Sequence, residues 1–327
     1  MSILLLGAKG QLGFELQRLL VSDIQDPMNP SRPLEGFGEL HSLSRDELDL
    51  IDLNALNSTL NALNPGLILN ASAYTAVDKA QTHASLANTI NHLVPAALAS
   101  YAKATQAVLV HFSTDFVFDG LKSTPYLETD PTAPLSVYGQ SKRDGEMAIQ
   151  ASGCQHLIFR TGWLMGAHGQ NFLKTMLRLA QNKTELKVVS DQFGAPTSAK
   201  WLAKVGIDAL KLCLEKNTPG SSSNNSSSHS SSSDWGLYHA SSEGVTSWHE
   251  YALQAIGFAK HIGFAQTLNP EHLLPIPSVE YPLPAKRPSY SVLNGEKLSQ
   301  AFGILRPHWL DAVHEVITEI RQSDLPL

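Results

Sequence analysis

The sequence predicts an α/β protein, a parallel sheet wound on both faces, followed by a smaller and less regular C-terminal part. Three observations carry this. Ile3-Leu4-Leu5-Leu6 is a short apolar run suited to a strand buried on both faces, and it runs through Gly7-Ala8-Lys9-Gly10-Gln11-Leu12-Gly13 into a helix-spaced segment, Phe14 to Val21. Strand and helix patterns then alternate as far as residue 160, as a parallel sheet requires. Beyond residue 163 the regularity is lost.

The elements follow in order. Glu39 to Ser44 reads as the second strand, and Asn54 to Leu63 as a helix stopped by Pro65. Leu67 to Ala71 is the third strand, Leu86 to Thr105 a long helix, and Ala107 to Phe112 the fourth strand. Tyr138 to Ser152 is a helix and His156 to Arg160 the fifth strand. Such a sheet binds its ligand at the carboxyl ends of the strands, where the glycine loop, Asn70 to Thr75 and Ser113 to Asp115 all fall. Residues 1–163 therefore read as a Rossmann-type nucleotide-binding domain, with 195–242 returning to it, and 164–327 mainly as a substrate-binding domain. In that second part, Phe172 to Gln181, Ala199 to Leu214, Trp248 to Lys260 and Leu310 to Arg321 read as helices, and Leu186 to Ser190 as a strand. Ser247 and Glu250 have capping-box spacing. Residues 218–234, dominated by serine, have almost nothing apolar to bury and are expected to form a flexible surface loop.

Composition excludes several classes. The chain has 327 residues, a net charge of −6 and a pI near 6.1, so a basic nucleic-acid surface is not expected. Cys154 and Cys213 form neither a metal spacing nor a disulfide framework. No segment has the length of a membrane span, and the N-terminal apolar run is too short for a signal peptide. A soluble cytoplasmic protein is the expectation.

Two motifs carry chemistry. Gly7, Gly10 and Gly13 form a GxxGxxG loop between strand and helix, where glycines admit a pyrophosphate and the helix N-terminus offers free N–H groups. Tyr138 and Lys142 stand four residues apart at a helix start, and no other tyrosine of the eight has lysine at that spacing. A lysine cation beside a phenol favours the phenolate and brings the tyrosine toward proton transfer at neutral pH. After the second strand, Arg45 stands where an adenosine ribose would lie. Arginine with a small hydroxyl there suits a 2′-phosphate, whereas an acidic residue would take the 2′-hydroxyl of NADH.

Read together, these pieces resemble the dTDP-4-dehydrorhamnose reductase family of the extended short-chain dehydrogenase/reductase superfamily. The matching segments are residues 10–13, 70–80, 113–120, 159–163, 191–197 and 287–293. Three departures stand out: Tyr74 where the family often has His, Phe116 where it often has Tyr, and the serine-rich insertion. The resemblance implies reduction of the C4 ketone of dTDP-4-dehydro-6-deoxy-L-mannose to dTDP-L-rhamnose by NADPH or NADH. It implies Tyr138 as proton donor, Lys142 on the nicotinamide ribose and Thr114 on the ketone. Gly10, Gln11 and Leu12 would meet the pyrophosphate, Asp49 and Leu50 the adenine, and Ala73, Tyr74 and Thr75 the cofactor at the third strand. Thr114, Asp115 and Trp163 would face the nucleotide sugar. Magnesium enters by resemblance alone, and a homodimer is left open as the assembly.

The thirteen histidines show no HxH or HxxxH pairing, and His111, inside an apolar strand, reads as a hydrogen-bonded interior residue rather than a ligand. Two other functions stay open on the residues: a reductase or epimerase acting on another nucleotide sugar, or a non-catalytic regulatory subunit like methionine adenosyltransferase beta.

Overall fold

The computed structural model describes residues 1–25, 34, 37–216, 234–323 and 327. Apart from Asp234, the serine-rich segment lies outside the described residues. Strands β1 (Ser2–Leu6), β2 (Glu39–Leu43), β3 (Pro65–Asn70), β4 (Val108–Thr114), β5 (Gln155–Thr161) and β6 (Gly236–His239) form one sheet in the order β6-β5-β4-β3-β1-β2. All its pairings are parallel. β6 is the strand missing from the sequence reading. It is four residues long and sits at the sheet edge, too short for a period to declare itself.

Alternation within the strands sorts the core into two layers. Ile3, Leu5, Leu67, Leu69, Val110 and Phe159 face helices α1 (Gln11–Gln25) and α6 (Ala199–Lys216), meeting Leu12, Leu16, Leu20, Leu202 and Leu210. The intervening residues Leu4, Leu6, Ile68, Leu109 and Ile158 face the other way. They meet Leu56 and Leu60 of α2 (Leu53–Leu63), Leu98 of α3 (Val94–Thr105) and Ile149 of α4 (Val137–Ser152). A period of two places successive side chains on opposite faces, so strands this apolar must be covered on both.

Between the sheet and the chain end, α5 (Phe172–Asn182), α7 (Trp248–His261) and α9 (Trp309–Gln322) enclose a separate cluster that includes Leu173, Leu177, Tyr251, Val313 and Ile317. A short helix, α8 (Glu296–Phe302), packs Leu298 and Phe302 into the first layer instead. Ser247 caps α7 by accepting from Glu250 N at 3.1 Å, while Glu250 Oε1 turns to Gln254, so half of the expected capping box forms. Residues 289–294 stitch the two parts together. Ser291 N donates to Phe193 O, and Tyr126 N donates to Val292 O, each at 2.8 Å.

The long helix expected over 86–105 is present, with residues 89–93 wound as a π turn that turns Asn91 inward. Its Oδ1 accepts from Tyr74 N at 2.9 Å, and its Nδ2 donates to Tyr74 O at 3.1 Å and Ser141 Oγ at 3.0 Å. The wider turn trades regular helix for three bonds that tie β3's loop to α4, a use typical of π-bulges at functional sites. No described helix is long and apolar enough to cross a membrane.

Candidate active site

The strand order reverses between β1 and β3, and the crevice at such a switch point is where an open α/β sheet takes its ligand. The glycine loop lies in it. Gly7 has φ +82°, and a Cβ there would stand 2.8 Å from the Ala71 and Ser72 backbone; one on Gly13 would overlap the Gly7 carbonyl. Only glycine lets β1, β3 and the start of α1 close up this tightly. The result is a cavity of about 280 Å³ lined by Gly7, Lys9, Gly10, Ser44, Arg45, Asp49, Leu50, Ala73 and Tyr74 among others. This backbone cradle at a helix N-terminus fits a dinucleotide.

Leu12 is a core residue, so only its N–H is left for a phosphate. Gln11 Oε1 accepts from Asn171 Nδ2 at 2.8 Å, anchoring the loop to the start of α5. Thr75 lies exposed beside Tyr74, whose hydroxyl pairs with His83 Nδ1 at 3.0 Å. Lys9, beside Arg45 in the cavity wall, is paired with Asp46 at 2.5 Å.

The second cluster sits at the end of β4. Ser136 caps α4 by accepting from Gly139 N, which sets Tyr138 in the first turn. The Tyr138 ring stands edge-on to Phe116, 5.8 Å between centres, just past Thr114. Thr114 Oγ1 donates to Asp115 Oδ1 at 3.1 Å. Burial pushes the Tyr138 phenol up to about 12, with the Thr114 hydroxyl pulling down and the Asp115 charge pushing up. Burial also raises Asp115 to about 6 against the pull of the Ser291 hydroxyl and the bond from Thr114.

Lys142, 1 % exposed, donates to the Phe112 carbonyl at 2.6 Å, and burial lowers its ammonium to about 8. This corrects the expectation of a phenol shifted toward phenolate: the ammonium is drawn to the β4 backbone, and desolvation of the ring outweighs it. The tyrosine therefore keeps its proton. Below Lys142, Glu146 makes a two-point bond to Arg160 of β5, at 2.9 and 2.7 Å, with both side chains buried.

Trp163 has φ +48°, an outlying conformation for a bulky residue, and its indole stacks on Trp248 at 3.5 Å between ring centres. The stack joins a cluster with Phe172 and Tyr251. Sequence reasoning missed Asn91, Trp248, Ser291 and the Asp78–Arg287 pair. Asp78 and Arg287 both lie in segments the sequence singled out, but their pairing, like the others' roles, exists only across long separations. Among the described residues, no three His, Cys, Asp or Glu side chains come together to hold a metal.

A glycine cradle at the switch point of a parallel sheet, beside a Tyr-Lys pair four residues apart, defines an NAD(P)H-dependent oxidoreductase of the short-chain dehydrogenase/reductase type. Comparison narrows this. The model of the RmlD substrate binding domain matches residues 1–322. A dTDP-4-dehydrorhamnose reductase of Burkholderia thailandensis is 40% identical over 313 residues, covering 96% of this chain and 97% of the relative. Among solved structures, a dTDP-4-dehydrorhamnose reductase of Clostridium acetobutylicum superimposes with a TM-score of 0.80 at 34% identity, covering 98% of this chain and 100% of the other. One from Bacillus anthracis, solved in complex with NADP, gives 0.79 at 30% identity with the same coverage. The chain belongs to the dTDP-4-dehydrorhamnose reductase family.

Proposed function

We propose that this chain reduces the C4 ketone of dTDP-4-dehydro-L-rhamnose to give dTDP-L-rhamnose, using NADPH or NADH with NADPH preferred. The single observation that carries the reading is the placement of Tyr138 in the first turn of α4, its ring against Phe116 just past Thr114 at the end of β4, with Lys142 buried one turn on and the glycine cradle along the same sheet edge.

The bound reduced nicotinamide supplies the hydride. The chain's own groups do the rest. The Thr114 hydroxyl holds the ketone oxygen, where negative charge builds. Tyr138, kept protonated by its burial, gives that oxygen its proton. The Lys142 ammonium holds a hydroxyl of the nicotinamide ribose and so sets the nicotinamide beside Tyr138. Gly10, Gln11 and Leu12 offer backbone N–H groups to the pyrophosphate, with Asp49 and Leu50 at the adenine. Arg45 meets the 2′-phosphate. Asp115 and the Trp163 indole face the sugar nucleotide, which residues 164–327 chiefly enclose.

The test is NADPH oxidation with dTDP-4-dehydrorhamnose beside its UDP counterpart. Rapid turnover of the dTDP sugar with little of the UDP sugar is the expected result. Equal rates would remove the base assignment, and no oxidation of either would remove the reaction.

A further inference from the structure

Behind the lysine runs a buried polar chain that the reaction above does not use. Lys142 Nζ lies 3.3 Å from His111 Nε2, and His111 Nδ1 lies 3.1 Å from Asn70 Nδ2. Asn70 Oδ1 accepts from Ser72 Oγ at 2.5 Å and from Ser72 N at 3.2 Å. His111 and Asn70 are wholly buried, and Ser72 lines the cofactor cavity. The chain therefore runs from the catalytic lysine to the cavity wall.

Donor counting gives this chain two states. An ammonium has three donors and no acceptor, and a neutral imidazole has one of each. With Asn70 Oδ1 on Ser72, the Asn70 amide nitrogen donates to His111 Nδ1, so the imidazole proton sits on Nε2 and needs the lone pair of a neutral Lys142. With Lys142 charged, Nε2 must accept and Nδ1 must donate. The Asn70 amide then turns its oxygen to His111, and the Ser72 N–H is released toward the cavity. A buried, unmatched N–H pair would be costly, so the groups must change together.

We propose that His111 is a positioning residue that couples the charge on Lys142 to the Asn70–Ser72 wall of the cofactor cavity. Filling the adenosine half of the cavity and protonating Lys142 then favour one another. The inference rests on the cofactor reading above. Two features support it: burial keeps His111 neutral, and it brings Lys142 to about 8, where a modest coupling changes its charge. The other charges around Lys142 are Glu146 on its own helix, already paired with Arg160 of β5, and Asp115 beyond Thr114 and Tyr138.

ADP is the probe, because it fills the adenosine half and lacks the nicotinamide ribose that Lys142 would touch. The full chain carrying 13Cε-lysine, with Lys142 assigned by Lys142→Met, is titrated by NMR with and without ADP. In wild type, ADP should raise the Lys142 midpoint by about one unit, a tenfold coupling within the usual range. By reciprocity, ADP should bind about tenfold more weakly above that midpoint than below it. His111→Leu and Asn70→Ala break the chain at separate links, and each should lose most of the shift. Thermal melts and ADP affinity at low pH confirm that each variant is folded. An equal shift in all three proteins is a direct field effect and overturns the coupling, as does no shift in wild type. Failure of wild type to bind ADP removes the cofactor reading as well.

Discussion

Asp78 and Arg287, 209 residues apart in sequence, meet in a two-point ion pair. Arg287 Nη1 and Nη2 donate to Asp78 Oδ1 and Oδ2 at 3.1 and 2.8 Å. Asp78 Oδ1 also accepts from Ala285 N at 3.1 Å. The loop after β3 is thereby fastened to the segment whose next residues, Ser289 and Ser291, reach the Gly120 and Phe193 carbonyls.

Arg287→Ala should destabilise the protein by about 1–2 kcal/mol, the usual worth of partly exposed charge-assisted bonds. The bond to Arg287 holds the Asp78 carboxyl below its ordinary 3.8. A depressed acid stabilises above its unfolded pKa and loses that contribution as pH falls through the folded one. Thermal melts of wild type and variant should therefore differ at pH 7 and converge below pH 3.8. A gap that persists in acid would mean the arginine acts by packing.

Tyr138→Phe should lower kcat by ~10²–10⁴, the range for a positioned acid, and leave NADPH affinity nearly unchanged. Steady-state rates and a fluorescence titration separate the two. Turnover near wild type would reject Tyr138 as the donor.

Arg45→Ala should lower the ratio of kcat/KM for NADPH over NADH by about tenfold, the loss of one charge-assisted contact of ~1.4 kcal/mol. Arg45 lines the cavity just past β2, and Lys9 beside it is already engaged with Asp46. An unchanged ratio would show that Arg45 does not read the phosphate.

Asp115→Asn should stabilise the fold at pH 8 more than at pH 5. Burial raises this carboxyl to about 6, so its favourable contribution is complete below 3.8 and is lost as pH rises through 6. Above that, a buried charge is being held, and an amide removes it. The gain in melting temperature should come with a loss of kcat/KM for the sugar nucleotide, a cost common where a site stores instability.

Five of the sheet's six strands were legible in the sequence, because strands buried on both faces leave unbroken apolar runs such as Ile3 to Leu6, and helices betray their 3.6 period. The sequence by itself also determined the Tyr138–Lys142 pair and the glycine cradle, since both are local chemistry with a fixed spacing. Tertiary structure decided what local spacing cannot carry. Whether Lys142 would pull Tyr138 down depended on where its ammonium finds an acceptor, and the Phe112 carbonyl is supplied by β4, thirty residues earlier in the chain. Asn91 reads as one helical residue among many until a π turn aims it at Tyr74 and Ser141. Asp78 finds Arg287, and Ser289 finds the Gly120 carbonyl, only when distant loops converge. Strands and helices satisfy their backbone locally, but buried side chains must find partners wherever the fold brings them, and that is decided in three dimensions.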